Sequence, residues 1–156
     1  MTRSVIVDTC VLADALFRER PRHAEARQLL ELLGEHDFQV MIPAHAFFEL
    51  ASVAFSQFNR SGKPMTMLEL GKDLPVNLHL VPIDAAFVSQ YLVGVLAEKH
   101  QIDSSGGDMV FLCLAKVDGL DLVTEDGPLA KKAVKAGVSA YSSKAYIAKI
   151  AGELNA

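Results

Sequence analysis

Apolar and polar positions along this chain change period repeatedly, from the two-residue alternation of strands to the three-to-four-residue spacing of helices. Ser4 to Val7 reads as a strand that runs into a helical stretch, Thr9-Cys10-Val11-Leu12-Ala13. Pro21 to Leu33 predicts an amphipathic helix with Ala24, Leu29, Leu30, Leu32 and Leu33 on or near one face, followed by a strand from Phe38 to Ile42. Pro43 is expected to start the next helix, Ala44 to about Phe58, because a proline in the first turn loses only an N–H that has no helical partner. Asn59-Arg60-Ser61-Gly62-Lys63-Pro64 should break it. A shorter helix is expected around Met67 to Leu70, then a strand from Leu78 to Ile83 and a long helix from Asp84 to about His100. The segment Asp103-Ser104-Ser105-Gly106-Gly107 reads as a loop that delivers Asp108 to the start of an apolar helix, Met109 to Ala115. Strand Leu120 to Val123, helix Pro128 to Ala136, strand Val138 to Tyr141 and a helix from Ser143 complete the pattern. Strands alternating with helices predict an α/β fold, with a mainly parallel central sheet flanked by helices.

Composition narrows this further. With 156 residues, of which 51% are hydrophobic and 22% charged, the chain is long enough for one well-filled core and is expected to form a single domain over residues 1–156. Apolar runs are interrupted well before the ~20 residues of a membrane span, and Met1-Thr2-Arg3-Ser4 leads directly into a strand, so neither a membrane segment nor an export signal is expected. Cys10 and Cys113 both lie in apolar surroundings and read as buried free thiols, which fits a reducing cytoplasm. The net charge of −4 argues against nucleic-acid binding by bulk charge but leaves room for a local basic rim.

The chemistry is carried by acids. Asp8 ends the apolar run Val5-Ile6-Val7, and ligands of open α/β sheets bind outside the carboxyl ends of the strands. Asp126 occupies the same kind of position after Leu122-Val123. Glu49 falls in the apolar stretch Phe47-Phe48-Glu49-Leu50-Ala51, mid-helix by the expected boundaries, where a carboxylate needs a cleft, a cation or a partner. Asp108 heads an equally apolar helix. Each acid also has a structural explanation. Asp8, Asp108 and Asp126 are suited to cap helices, and Glu49 to form a salt bridge with an Arg or Lys. The histidines His23, His36, His45, His79 and His100 show no metal-ligand spacing and read as structural or surface residues, and Asp84 and Asp103 read as loop or cap residues, with Asp103 able to approach the cleft through its loop.

Taken together, Val7-Asp8-Thr9, the helical Glu49, Gly106-Gly107-Asp108 followed by Leu112-Cys113-Leu114-Ala115, and Thr124-Glu125-Asp126 resemble the PIN domain of metal-dependent ribonucleases, particularly the toxins of VapBC-type toxin–antitoxin systems. The resemblance spans almost the whole chain. It implies an acidic quartet, Asp8, Glu49, Asp108 and Asp126, that is both catalytic and metal-binding, supported by the hydroxyls of Thr9 and Thr124. It further implies Mg²⁺ or Mn²⁺ as cofactor, RNA as substrate, a small antitoxin as partner, and a homodimer. Clustered carboxylates suit hard divalent cations, which can generate hydroxide and stabilise an in-line displacement at phosphorus. Arg18, Arg20 and Arg22, with Arg27, Lys131, Lys132 and Lys135, are candidates for phosphate contacts or for solvated helix faces. Two departures stand out. Leu129 replaces a frequent aromatic residue, and Glu125 adds a carboxylate without an implied role. The alternatives are a non-catalytic PIN-like scaffold and a phosphatase of the haloacid-dehalogenase type, which would need a second Asp where this chain has Cys10.

Overall fold

The computed structural model describes residues 3–61, 74–92 and 106–155. In chain order these form β1 (Ser4–Val7), α1 (Thr9–Leu16), α2 (His23–Glu35), β2 (Gln39–Pro43), α3 (Ala46–Ser61), β3 (Asn77–Val81) and α4 (Ala85–Phe87), which continues as a π-helical turn over Val88–Leu92. After these come α5 (Gly106–Asp118), β4 (Leu122–Val123), α6 (Gly127–Lys135), β5 (Ala140–Tyr141) and α7 (Ser143–Leu154). The five strands form one sheet in the order β3-β2-β1-β4-β5, with every pairing parallel. This is the α/β architecture expected from the alternation of periods.

Strand alternation decides which layer each residue joins. Val5 and Val7 of β1 and Val40 and Ile42 of β2 face a cluster built with α1, α2, α3 and α7, including Leu12, Leu29, Leu30, Leu33, Leu50 and Ile150. Ile6 points the other way, into a second cluster with Phe111, Leu112 and Leu114 of α5, Leu122 of β4 and Leu129 of α6. A sheet covered on both faces explains the continuously apolar β1, every residue of which after Ser4 is buried.

Several expectations need correction. Pro43 does not open a helix; it ends β2 opposite Val81, where its missing N–H is harmless because the next donor, the Ala44 N–H, bonds the Val81 carbonyl at 2.8 Å. With α3 beginning at Ala46, Glu49 lies in the first turn of that helix and not at its middle. Asp108 is the third residue of α5, since Gly106 and Gly107 are already helical. In α2 it is Ala26 that is buried, while Ala24 is exposed. The expected helix at Met67 to Leu70, the later part of the one from Asp84, and Asp103 lie outside the described residues.

The chain order around the sheet positions the site. From β1 the chain moves outward through β2 to β3, then crosses back to place β4 on the other side of β1 and β5 beyond it. The connections leave β1 and β4 in opposite directions, which makes the space beyond their carboxyl ends the topological switch point of the sheet. Asp8 and Thr124 are the residues immediately past those two ends.

Candidate active site

Backbone hydrogen bonds continue past the nominal strand ends and fix both residues. The Asp8 N–H donates to the Val123 carbonyl and the Thr124 N–H to the Tyr141 carbonyl, each at 2.9 Å. Thr124 Oγ1 then donates to Asp8 Oδ2 at 2.7 Å, and Cys10 Sγ donates to the same oxygen at 3.0 Å. Asp8 is only 8% exposed. It occupies the N-cap position of α1, yet its side chain makes no capping hydrogen bond. The simplest structural reason for an aspartate at this point is therefore absent. Burial raises the pKa of its carboxyl above the usual 3.8, opposed by the hydrogen bonds from Cys10, Thr124 and the Thr9 backbone and reinforced by the negative charge of Glu49.

Glu49 approaches from α3. Thr9 Oγ1 donates to Glu49 Oε2 at 2.8 Å, joining the residue after Asp8 to the first turn of that helix. Its side chain is 45% exposed, so the apolar sequence around Glu49 does not bury it. The other carboxylate oxygen lies 3.9 Å from His45 Nε2, one helical turn back. That same oxygen borders Gly107, where an added Cβ would sit 3.0 Å from it. A glycine beside Asp108 thus lets the start of α5 approach Glu49 closely, which gives the Gly-Gly-Asp sequence a local steric meaning.

Asp126 caps α6, accepting the Leu129 N–H on Oδ1 at 3.0 Å, while its own N–H donates to Thr124 Oγ1 at 3.0 Å. Thr124 therefore connects Asp8 and Asp126 through one hydroxyl. Asp84 likewise caps α4 through the Phe87 N–H at 2.9 Å, the role expected of it. The acids are linked in pairs: Asp8 with Asp126 through Thr124, Glu49 with the Asp8-Thr9 turn through Thr9, and Glu49 with the Asp108 segment across Gly107. They do not converge further, because among the described residues no group of three or more His, Cys, Asp or Glu side chains is arranged to hold a metal ion.

The basic residues divide. Arg20 pairs with Asp14, a carboxylate 2% exposed on α1, and Arg22 Nε lies 3.6 Å from Glu125 Oε2. Glu125 also accepts the Ser143 N–H on Oε1 at 2.8 Å, so the additional carboxylate clasps the start of α7. Lys131 and Lys135 are exposed on α6.

Three features were missed from sequence. Cys10 is half-buried and hydrogen-bonded to Asp8, and burial with the neighbouring Asp8 charge pushes its thiol pKa up to about 12. Asp14, itself buried, carries the partly buried ion pair that anchors Arg20. His45 lies edge-on to Phe111, with both ring nitrogens buried and without hydrogen-bond partners. The position of Cys10 two residues after a strand-end acid was an available signal. Nothing in the sequence distinguished Asp14.

Comparison with known proteins places this geometry in context. The family model described as PIN domain matches residues 5–135. Among solved structures, VapBC2 from Rickettsia felis, crystallised bound to a DNA fragment from its promoter, aligns with a TM-score of 0.55 at 17% identity, covering 89% of this chain and 98% of that one. A PilT N-terminus domain protein from Sulfolobus solfataricus P2 aligns with a TM-score of 0.50 at 14% identity, covering 94% and 92%. At these identities the likeness is one of fold. No curated protein matches the chain.

Proposed function

The chain belongs to the PIN-domain family, whose members are generally nucleases, and from that membership we propose that it is a metal-dependent endoribonuclease acting as the toxin of a toxin–antitoxin pair. The observation that carries the reading is Asp8, a nearly buried carboxylate at the switch point of a parallel sheet, turned away from helix capping and held on one oxygen by Thr124 and Cys10.

The donor chemistry fits a hard divalent cation. Asp8, Glu49, Asp108 and Asp126 offer only carboxylate oxygens, the ligand type Mg²⁺ and Mn²⁺ favour. Burial and the charge of Glu49 both disfavour ionised Asp8, a condition that a bound cation reverses. In this reading the four acids, linked in pairs but not gathered round one point in this structure, would hold the metal, which when bound would supply activated water and charge stabilisation at the phosphodiester. Thr124 holds the orientation of Asp8, Thr9 that of Glu49, and Gly107 keeps room between Glu49 and the start of α5. No histidine or serine is needed as nucleophile.

The reading extends to partners. Phe48 and Phe55 of α3 are 80% and 59% exposed and lie seven residues apart, which places them on one helical face. Exposed aromatic surface of this kind supports contact with a small antitoxin or a second copy of the chain, as does the resemblance of the fold to VapBC2. Free Cys10 and Cys113 fit action in the cytoplasm.

The deciding experiment is incubation of the purified protein with total RNA in chelator, Mg²⁺ or Mn²⁺. Cleavage is expected only with metal and should be lost in Asp8→Asn and Asp108→Asn. Intact RNA under all conditions would reject the enzyme and leave a non-catalytic PIN-like scaffold. Sedimentation of the isolated protein as a strict monomer, with no binding by the product of an adjacent short reading frame, would reject the partners.

A further inference from the structure

Beside the acids lies a second feature that the acidic quartet does not use. Where α1 ends and α2 begins, Ala15, Leu16, Arg18, His23 and Arg27 line a cleft of about 380 Å³. A water molecule occupies roughly 30 Å³ of the liquid, so the cleft has room for more than a single ion. Every titratable side chain that lines it is basic. Its floor, Ala15 and Leu16, belongs to the last turn of α1.

Of the four acids nearby, Asp14 and Glu31 are already engaged, while Glu19 is exposed beside Arg18 and Glu25 lies in the first turn of α2. Asp14, the buried carboxylate nearest in sequence, is paired with Arg20, and its backbone carbonyl lies 3.0 Å from His23 Nδ1. That contact fixes the imidazole on one side and leaves Nε2 as its remaining polar atom. Glu31 lies 3.6 Å from Arg27 Nε, one turn further along α2. Arg18 is exposed and pairs with no carboxylate among the described residues. The cleft also lies at the start of α2, a helix of 13 residues, where the N-terminal end favours negative charge.

Its position relative to the sheet follows from Arg22. That side chain contacts Glu125, the residue between Thr124 and Asp126, so the turn bearing Arg18 and His23 is attached to the carboxyl end of β4. The adjacent residue, His23, begins α2 and lines the cleft. An extended polyanion engaged at the acidic site therefore has a basic cleft within the same edge of the molecule.

We propose that the cleft formed by Arg18, His23 and Arg27 binds the phosphodiester backbone of a nucleic-acid strand next to the acidic site. The inference rests on the nuclease reading for the identity of the polyanion. It assigns the three cations to positioning the strand: Arg and Lys contacts to phosphate set register without reading bases. Arg20 and Arg22 hold the supporting turn through Asp14 and Glu125 and are not the contacts themselves.

The test is binding of a fluorescent single-stranded oligoribonucleotide by the full chain in chelator, across a series of salt concentrations. Arg18→Ala should weaken binding several-fold and lower the salt dependence by about one unit of log–log slope, as expected when one phosphate contact is lost. Arg18→Glu should weaken it further. Arg3→Ala, just before β1 at the opposite, amino end of the strands, should bind as wild type. Unchanged affinity and slope in Arg18→Glu would overturn the proposal, as would competition by polyglutamate equal to that by RNA. The latter would mark the cleft as a site for an acidic polypeptide. Metal-dependent cleavage by wild type is scored separately. Cleavage with unaltered binding in both Arg18 variants removes the cleft and spares the nuclease. Weakened binding in these variants without wild-type cleavage leaves the cleft in place and removes the nuclease.

Discussion

The acids of the site are held in two different ways. On the sheet side, Asp8 is buried, fixed by backbone ladder bonds, and hydrogen-bonded by two side chains on one oxygen. On the helix side, Glu49 is half-exposed, reaches the sheet through a single hydroxyl, and faces a glycine. A carboxylate of the first kind is positioned by folding itself. One of the second kind is positioned by a few adjustable contacts. The difference teaches that the sheet supplies the fixed reference of the site, while α3 brings Glu49 to it on fewer contacts.

The largest expected effect is at the fixed pole. Asp8→Asn should reduce metal-dependent RNA cleavage by roughly a thousand-fold or more, about 4 kcal/mol in barrier height. Its stability should respond oppositely. Because the Asp8 pKa is raised in the folded state, that state binds more protons than the unfolded chain between pH 3.8 and the raised value. Stability therefore falls as pH rises through this window, and ionised Asp8 weakens the fold at neutral pH. In chelator at pH 7, Asp8→Asn should melt no lower than wild type, and the upward shift in Tm that millimolar Mn²⁺ gives wild type should disappear. An undiminished Mn²⁺ shift would remove Asp8 from the site.

Thr124→Val comes next and tests whether the sheet pole depends on its hydroxyl. The substitution removes the donor to Asp8 and the acceptor for the Asp126 N–H. A stability loss of about 1–3 kcal/mol by urea unfolding is expected, with Thr124→Ser recovering most of it. Equal losses in the two variants would mean that the methyl packing, and not the hydroxyl, matters.

Gly107→Ala probes the adjustable side. A Cβ 3.0 Å from Glu49 Oε1 displaces an exposed carboxylate rather than backbone. Cleavage should fall by roughly ten-fold, near 1.4 kcal/mol, with thermal stability almost unchanged. A loss of stability comparable to that of Thr124→Val would show that Glu49 is as firmly held as Asp8 and would erase the contrast. The smallest effect is expected from Asp84→Asn. It alters only the cap of α4, and RNA cleavage at the wild-type rate should persist.

Sequence reading reached the fold because burial on both faces of a parallel sheet leaves an unmistakable pattern: short apolar runs such as Val5-Ile6-Val7 between helical stretches. It misplaced Pro43 because a proline is equally acceptable in a helical first turn and at the last residue of a strand; only the partner strand decides. The site acids were legible as strand-end or helix-start positions. What one-dimensional reading could not supply was pairing across long separations. Thr124 and Asp8 stand 116 residues apart, and Arg20 meets Asp14 only because the turn between them folds back. Arg18, Arg20 and Arg22 look alike in a row of alternating arginines. Buried or half-buried carboxylates nearby divide them into one side chain with no carboxylate partner among the described residues and two anchors.

Glu125 shows how closely the length of this segment is constrained. In Thr124-Glu125-Asp126, three consecutive side chains go to three destinations: the Asp8 carboxylate, the Ser143 N–H with Arg22, and the first turn of α6. Two of the three are acids of similar chemistry, so substitution is a mild change here compared with a shift in spacing. Loss or gain of one neutral residue beside them would shift the acid that caps α6 and the one that clasps α7 out of place together, while leaving the net charge untouched. For this stretch the residue count is as much a part of the message as the residues.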